Sequence, residues 1–235
     1  MEKLISGAQK LGLSLTKEQV TLFQTYYEEL IRWNSRVNLT AIVDYEEVQM
    51  KHFLDSLTIA PLIGNTSGRL LDVGSGAGFP GVPLKVVFPD IAVTLVESVK
   101  KKAAFLDHLV DCLGLDGVEV IAERAESLAH DERHRERYDV AVSRGVADLA
   151  TLAELTLPFC VVGGIAVAMK KGDIEDEISG ASKAIDVLGG RMREVRPVEL
   201  TEFAGEARSL VVIEKRSPTP ERYPRRPGIP RKRPL

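Results

Sequence analysis

Short apolar runs that alternate with longer polar or helical stretches constrain the fold of this chain more than any other feature. Five such runs have four to six residues each and are rich in Val, Ile and Ala. They lie at residues 69–73, 92–96, 118–121, 138–142 and 164–169. Near-continuous apolar strands separated by helices are typical of a parallel sheet with helices on both faces. We therefore predict an α/β fold with a doubly wound, Rossmann-like sheet of five parallel strands.

The segments on either side of this sheet have different patterns. Beyond residue 190 the apolar runs come closer together, at 192–200 and 210–215, which predicts an antiparallel hairpin at one edge of the sheet. The N-terminal residues follow helical spacing, and Thr16 with Gln19 has the pattern of a capping box. We expect turn-prone residues at 33–40 to interrupt that helical pattern. The chain thus divides into an N-terminal helical extension (1–64), a sheet domain (65–216) and a tail (217–235).

Charge is distributed unevenly along the chain. The formal net charge is −3, but residues 215–235 hold eight basic residues and one acid, so this segment carries +7 and the remainder −10. Residues 217–235 also contain six of the twelve prolines and almost no periodicity. An acidic body with a basic tail is expected where one small region binds a polyanion. We predict that the tail is extended or disordered until it binds.

The composition gives no sign of a secreted, membrane-spanning or metal-binding protein. The two cysteines, Cys112 and Cys160, do not belong to a metal-ligand spacing, and no set of three or four ligands converges in the sequence. The first residues lack the layout of a secretory signal, and no apolar stretch approaches the roughly 18 residues that span a bilayer. We expect a cytoplasmic protein without a metal, and a monomer, since no feature indicates an obligate dimer.

A glycine-rich loop follows the first predicted strand directly. Residues 70–81 read LLDVGSGAGFPG, in which Asp72 ends the buried strand. Glycine takes positive φ at little cost and lets a ligand lie against the backbone. In parallel α/β sheets, ligands bind outside the carboxyl end of such a strand. We predict a cofactor site here that includes Asp72, Gly74, Gly76 and Gly78.

The pattern of this loop has two interpretations, a site for a dinucleotide and a site for S-adenosylmethionine. Residues 76–81 match the G-x-G-x-x-G pattern of dinucleotide sites, but Gly74 already follows the strand, and Pro80 and Pro83 crowd the later turn. The pattern Asp-x-Gly-x-Gly-x-Gly agrees better with S-adenosylmethionine, which has no pyrophosphate to place at a helix N-terminus. A nicotinamide-dependent oxidoreductase would also need a Tyr/Lys or His/acid arrangement, which the sequence does not provide.

Polar residues after the following strands extend the predicted site. Glu97 ends the second strand, about 20 residues beyond the loop, where a carboxylate accepts hydrogen bonds from ribose hydroxyls. Glu126 follows the third strand, beside the expected adenine position, and is equally well explained as a solvated carboxylate at a helix start. Arg144 follows the fourth strand and is directed at the reaction centre, with a structural ion pair as the competing explanation.

These motifs resemble the RsmG (GidB) family of bacterial small-subunit ribosomal RNA guanine-N7 methyltransferases, whose fold is a class I methyltransferase sheet. The resemblance spans roughly Trp33 to Leu235 and includes the loop from Asp72 to Leu84. Its other motifs are WN at 33–34, NLT at 38–40, HFLDSL at 52–57, SR at 143–144, KKG at 170–172, RSLVV at 208–212 and YPRRPGIP at 223–230.

The resemblance implies a reaction, a cofactor and a substrate. The implied reaction transfers a methyl group from S-adenosylmethionine to N7 of one guanine in the decoding-region stem-loop of 16S rRNA. By resemblance, Glu97 is the ribose acid, and the other cofactor contacts are Gly74, Phe79, Ala125, Glu126 and Arg144. The alternative is a non-catalytic RNA-binding or ribosome-assembly factor that has kept this fold, although the intact glycine loop argues against it.

The residues agree with a reaction that needs neither a strong base nor a covalent intermediate. Guanine N7 already carries an exposed lone pair, and the Asn/Asp-Pro-Pro-aromatic tetrad of amino-group methyltransferases is missing after the fourth strand. Cys160 does not follow a proline directly, unlike the nucleophile of cytosine-C5 enzymes. His52 and Arg144 remain as candidates for a catalytic role, although a pair such as His52 and Asp55 on one helix more often forms a structural hydrogen bond.

Several lysines and arginines are candidates for RNA contacts. Lys100 and Lys101 lie in the first turn of a predicted helix, where positive charge opposes the helix dipole. A phosphate contact and a plain solvated face explain them about equally well. The remaining candidates are Lys170 and Lys171 after the fifth strand, and Arg225 and Arg226 in the tail.

Overall fold

A computed structural model describes residues 1–63, 68–203 and 205–235 of this chain. Its strands are β1 (Arg69–Val73), β2 (Ala92–Val96), β3 (Val118–Ile121), β4 (Tyr138–Arg144), β5 (Cys160–Lys171), β6 (Gly190–Pro197) and β7 (Arg208–Lys215). Its helices are α1 (Glu2–Lys10), α2 (Lys17–Val37), α3 (Tyr45–Val48), α4 (Asp55–Leu57), α5 (Ala60–Ile63), α6 (Gly81–Val87), α7 (Lys100–Leu113), α8 (Ala125–Leu128), α9 (Leu149–Thr156), α10 (Glu175–Val187) and α11 (Ile229–Lys232), with a π-helix at Gln49–Leu54. Among the described residues, no helix is long and apolar enough to cross a membrane.

The strands form one mixed sheet in the order β3-β2-β1-β4-β5-β7-β6. The pairs from β3 to β5 are parallel, whereas β7 is antiparallel to both β5 and β6. The predicted five parallel strands with an antiparallel C-terminal hairpin are therefore confirmed. Strand β5 is longer than the predicted run, because Cys160 already pairs with Tyr138 before a shift in register.

Both faces of the sheet are covered, which explains why its strands are apolar almost throughout. In β1, Leu70 belongs to the cluster beneath the N-terminal helices and α7, and the next residue, Leu71, belongs to the cluster beneath α9 and α10. Alternate side chains of a strand point to opposite faces, so each residue of a doubly covered strand is buried. The N-terminal helices thus share a hydrophobic cluster with the sheet.

Helix α2 is longer than the sequence pattern predicts. Its capping box is confirmed, since Thr16 Oγ1 accepts from the Gln19 amide and the Gln19 side chain accepts from the Thr16 amide. The predicted interruption at 33–40 is wrong in its first part, because α2 continues to Val37. The helix ends where Asn38 adopts a left-handed conformation with φ 51°. Trp33 stays helical because its ring packs against Phe105 and His108 of α7.

The tail is ordered against the sheet domain, so the prediction that it is disordered until it binds is wrong, although residues 217–228 form neither helix nor strand. The Arg225 guanidinium lies 2.6 Å from the fully buried carboxylate of Glu154, and Arg135 donates to the carbonyl oxygens of Thr219 and Tyr223. The tail ends in the short helix α11, which contacts α9. Buried polar groups of the sheet domain need these partners, so the segment is held even without an apolar core of its own.

Candidate functional site

The glycine loop has the backbone that the sequence predicts. Gly74 follows β1 with φ 73°, and a Cβ added there would lie 2.5 Å from the Val146 side chain. Gly78 has φ 96°, and a Cβ there would lie 2.6 Å from the Tyr26 hydroxyl, which donates to the Ala77 carbonyl. Both positions need glycine for conformation and for space. The loop thus exposes its backbone to a cleft at the carboxyl ends of β1 and β4.

Asp72 lies fully buried at the base of the loop. One carboxylate oxygen, Oδ2, accepts from the Gly81 amide at 2.9 Å. The other, Oδ1, has no hydrogen-bond partner among the described residues. Burial raises the pKa of Asp72 to about 7, although the hydrogen bond from Gly81 opposes that shift. An unpartnered buried carboxylate oxygen beneath a glycine cradle fits a ligand that brings a donor or a positive charge.

The Glu97 carboxylate connects the glycine loop after β1 to the turn after β2. Its Oε2 accepts from the Gly76 amide at 2.9 Å, and its Oε1 accepts from the Val99 amide at 2.7 Å. The side chain lines the same cleft as the glycine loop. Each oxygen keeps a further lone pair, so this carboxylate can also accept hydrogen bonds from two hydroxyls of a ligand.

A narrower slot continues from the cleft between β1, β2 and α8. The residues that line it include apolar side chains suited to a flat ring, namely Val73, Val96, Ala125, Val146 and Leu155. Glu126, which is buried, stands at its edge and accepts from the Gly228 amide at 2.8 Å. The structure therefore brings Ala125 and Glu126 beside the loop as predicted, and it adds a tail residue that sequence reasoning missed.

Arg144 lies on the opposite side of the cleft and is held by the N-terminal helices. Its Nη1 donates to Asp55 Oδ2 at 2.8 Å and to the Lys51 carbonyl at 3.0 Å. Its guanidinium lies 5.0 Å from the centre of the Phe79 ring. Asp55 also accepts from Arg208 at 2.6 Å, so one buried carboxylate pairs with two arginines. The ion pair that the sequence suggested for Arg144 is present.

His52 belongs to the same network. Its ring stacks on Phe79 with centroids 4.5 Å apart, and its Nε2 lies 2.8 Å from Thr40 Oγ1. Burial, followed by the charge of Arg144, lowers the pKa of His52 to about 3. The ring is therefore neutral at physiological pH. Its contacts are those of a structural hydrogen bond, although its partners are Thr40 and Arg144 and not Asp55.

Some residues of the cleft were not predicted from the sequence. Thr40 and Leu39, from the segment after α2, line the cleft, as do Lys102 and Val146. The only sequence signal for the first two was the turn-prone NLT motif at 38–40, which the resemblance contained without giving it a role. Lys102 was part of a lysine run, and spacing alone did not separate it from Lys100 and Lys101.

The predicted RNA contacts fall into two groups. Lys100, Lys101 and Arg226 are exposed, and Lys171 is half-exposed with Glu206 at 3.5 Å. Lys170 instead pairs with Glu177 and donates to the Ala147 carbonyl, and Arg225 pairs with Glu154. Two of the six candidates for RNA contacts, Lys170 and Arg225, therefore already form ion pairs within the protein.

Contrary to the expectation from the sequence, three possible metal ligands converge. Glu29 Oε2 and Cys112 Sγ lie 2.8 and 3.3 Å from His108 Nε2, on the outer surface between α2 and α7. His108 and Cys112 are four residues apart on α7, but Glu29 is distant in sequence, which is why spacing did not reveal the set. Arg32 also pairs with Glu29 at 3.0 Å, so hydrogen bonds and ion pairs account for the cluster without a metal.

The chain matches known proteins over its full length. A family model described as GidB, rRNA small subunit methyltransferase G, matches residues 19–208. The ribosomal RNA small subunit methyltransferases G of Dehalococcoides mccartyi strain CBDB1 and Roseiflexus castenholzii are each 52% identical to it over 235 residues, covering all of both chains.

Solved structures share the fold at much lower identity. M. jannaschii TYW2 in complex with AdoMet superposes with a TM-score of 0.54 at 16% identity, covering 68% of this chain and 74% of that one. A mutant of MtNAS in complex with S-adenosylmethionine gives a TM-score of 0.55 at 17% identity, covering 91% and 77%. At these identities the likeness concerns the fold alone.

Proposed function

Because this chain belongs to the rRNA small subunit methyltransferase G family, we propose that it methylates N7 of one guanine in the decoding-region loop of 16S rRNA. Family membership makes the chain an S-adenosylmethionine-dependent 16S rRNA methyltransferase. The choice of atom and of RNA region is the finer part of the proposal. So are a monomeric, cytoplasmic enzyme and the division into an extension (1–64), a methyltransferase domain (65–216) and a tail (217–235).

The observation that carries the proposal is the cleft itself, where the glycine loop, Glu97 and Arg144 meet. The unpartnered Oδ1 of Asp72 fits the positively charged S-adenosylmethionine, and a Cβ at Gly76 would have only the Gly74 carbonyl within 4 Å, so the loop backbone there is open to a ligand. Glu97 would accept from the ribose hydroxyls, and the slot beside Ala125 would hold the adenine. When bound, the cofactor supplies an electrophilic methyl group. The residues proposed to hold it are Asp72, Gly74, Gly76, Gly78, Phe79, Glu97, Ala125, Glu126 and Arg144, of which all but Asp72 and Gly78 line the cleft or its slot.

The residues of the cleft favour methylation by positioning. Arg144 has no lone pair to take up a proton, and a pKa of about 3 makes the neutral His52 ring a very weak base, so neither serves an acceptor that must lose a proton. Guanine N7 has no proton to lose, and orientation alone can contribute roughly 7–11 kcal/mol to the acceleration. Cys160 is fully buried, and burial raises its pKa to about 12, which argues against a covalent intermediate on that thiol.

Exposed cations support RNA as the acceptor. Lys100, Lys101, Lys171 and Arg226 are accessible to a phosphate backbone. The charges of Lys170 and Arg225 are already paired with Glu177 and Glu154. We propose that these two residues shape the RNA-binding surface as neighbours of the exposed cations. Phosphate contacts of this kind position a nucleic acid without reading its sequence.

Transfer of labelled methyl groups tests the proposal against a non-catalytic RNA-binding factor. Purified protein would be incubated with methyl-labelled S-adenosylmethionine and either 16S rRNA, small subunits or 23S rRNA, all from cells that lack this modification. We expect label in 16S rRNA, free or in subunits, and background in 23S rRNA. Cofactor binding together with background label in all three would favour the non-catalytic alternative.

A further inference from the structure

The segment after α2 is fixed by an amide clamp, which the Asn34 side chain forms. Asn34 Nδ2 donates to the Thr40 carbonyl, and Asn34 Oδ1 accepts from the Thr40 amide, each at 2.9 Å. Two hydrogen bonds from one side chain fix both backbone groups of a single residue. The clamp therefore holds Thr40 at a set position in the wall of the cleft.

The hydrogen bonds around the Thr40 hydroxyl determine whether it can donate or accept a further hydrogen bond. The Ile42 amide donates to Oγ1 at 3.0 Å, and His52 Nε2 lies 2.8 Å away. On the other side of the ring, Arg144 Nη2 lies 3.2 Å from Nδ1. Arginine is only a donor, so we assign Nδ1 as the acceptor of this bond and place the single proton of the neutral ring on Nε2. The Lys51 carbonyl, 3.1 Å from Nδ1, already accepts from Arg144 Nη1 and needs no proton from the ring.

This arrangement leaves the hydroxyl as a donor. Both lone pairs of Oγ1 accept, one from the Ile42 amide and one from His52 Nε2. With this tautomer, no acceptor among residues 1–63, 68–203 and 205–235 takes the Thr40 hydroxyl hydrogen. A hydroxyl normally both donates and accepts, so fixing its lone pairs makes it selective for an acceptor on a ligand.

We infer that Thr40 recognises the target base by donating a hydrogen bond to guanine O6. The inference rests on the proposed function and adds a base-specificity residue to it. Guanine presents two acceptors on this edge, N7 and O6, whereas adenine presents N7 and an amino donor. N7 must face the methyl group, so the donor beside it meets O6. With adenine, the amino group would meet a hydroxyl that has no lone pair left to accept from it.

Replacing O6 on the substrate and the hydroxyl on the protein tests this contact. 16S rRNA would be assembled by splinted ligation with either guanosine or 2,6-diaminopurine riboside at the target position, since the analogue keeps N7 but carries an amino group in place of O6. Initial methylation rates would be compared for the wild type, Thr40→Val and Thr40→Ser, offered the RNA both free and in reconstituted subunits. S-adenosylmethionine affinity would be measured for each protein.

We expect the wild type to prefer guanosine by about tenfold or more. Thr40→Val should lose most of that preference, because its rate on guanosine falls while its rate on the analogue does not. Thr40→Ser keeps the hydroxyl and should keep the preference even if its rate falls. Equal losses on both substrates, or an undiminished preference in Thr40→Val, would overturn the inference and leave a structural role for Thr40. A wild type inactive on the guanosine substrate would instead contradict the proposed function.

Discussion

The carboxylate of Asp55 and the guanidinium of Arg144 form a buried ion pair, with Oδ2 and Nη1 2.8 Å apart, that joins the N-terminal helices to the end of β4. The second oxygen of Asp55 pairs with Arg208 of β7 at 2.6 Å. Three segments distant in sequence thus meet at one carboxylate beside the cofactor loop. The helical extension is therefore part of the cleft wall as well as a cover for the sheet.

Asp55→Asn should destabilise the protein. The substitution removes the charge that compensates Arg144 and Arg208, whose side chains are 16% and 2% exposed. Breaking a buried pair from one side costs about 3–5 kcal/mol, and we expect the lower end because both arginines keep other acceptors. Denaturant unfolding measures the loss. Asp131→Asn breaks a pair with the exposed Arg133 and should leave stability unchanged; equal effects of the two variants would contradict the role of Asp55.

Gly74→Asp should abolish binding of S-adenosylmethionine while the protein stays folded. The new side chain would start 2.5 Å from Val146, in a backbone with φ 73°, and would bring a negative charge into the loop. Calorimetric titration measures the affinity, and circular dichroism checks the fold. Gly12→Asp is the matched control, since Gly12 has φ 77° and open space around it. Normal affinity in Gly74→Asp would refute the loop assignment.

His52 should make the folded state sensitive to acid. Its folded pKa is about 3, whereas an unperturbed histidine has a pKa near 6.5, so the unfolded chain takes up the proton first. The free energy of unfolding should therefore fall as the pH drops from 6.5 towards 3. His52→Gln removes this contribution, so its stability should depend less on pH across the window.

The titration of Asp72 changes the free energy of unfolding in the opposite direction. Its contribution therefore has to be separated from that of His52. Its pKa is raised to about 7 from 3.8, so the folded state keeps the proton that the unfolded chain loses, and stability falls as the pH rises between these values. Subtracting the His52→Gln curve from the wild-type curve cancels this term. Parallel curves for the two proteins would show that His52 is not a buried neutral ring.

Tail cations with no ion-pair partner in the part of the chain that the structure describes should contribute to RNA affinity through phosphate contacts. Arg231, Lys232 and Arg233 are exposed, unlike Arg225, so replacing all three with Gln leaves the contact with Glu154 intact. The logarithm of the RNA association constant falls as the logarithm of the salt concentration rises. Losing three phosphate contacts should make this slope shallower by roughly 2, with unchanged cofactor affinity. Filter binding to 16S rRNA at several salt concentrations measures the slope.

A control variant with the same change in net charge distinguishes the loss of phosphate contacts from a general effect of net charge on RNA affinity. Lys183, Arg191 and Arg193 are exposed on α10 and β6, at the edge of the sheet away from the cleft. Their triple replacement by Gln should leave the salt slope near the wild-type value. Equal slopes for the two triple variants would mean that the tail is not a specific phosphate contact.

The sheet could be predicted from sequence because each strand carries its own signal. Leu70 and Leu71 face opposite covered faces, so the apolar run alone indicates burial on both sides. Glu97 could be placed because it ends a strand next to the glycine loop. Gly74 could be placed because its positive φ of 73° is a property of the local backbone, whereas the Val146 side chain that also requires glycine there comes from a distant segment.

The order of the tail and the role of Thr40 could not be predicted, because both depend on partners that are distant in sequence. Composition suggested a disordered tail, whereas the buried carboxylate of Glu154 holds Arg225. A glutamate within the apolar stretch of α9 was the one signal that such a cationic partner was required. Thr40 became a donor only through His52 and Arg144, which lie on other elements.

Identification of the methylated nucleoside tests the central claim most directly. 16S rRNA would be labelled by the wild-type protein and S-adenosylmethionine, digested to nucleosides and analysed by chromatography with mass spectrometry, and the site would be mapped by cleavage at 7-methylguanosine. A guanine-N7 methyltransferase of this specificity will place all label in 7-methylguanosine at one position in the decoding region. Label in a ribose, in an exocyclic amino group or in another base would contradict it.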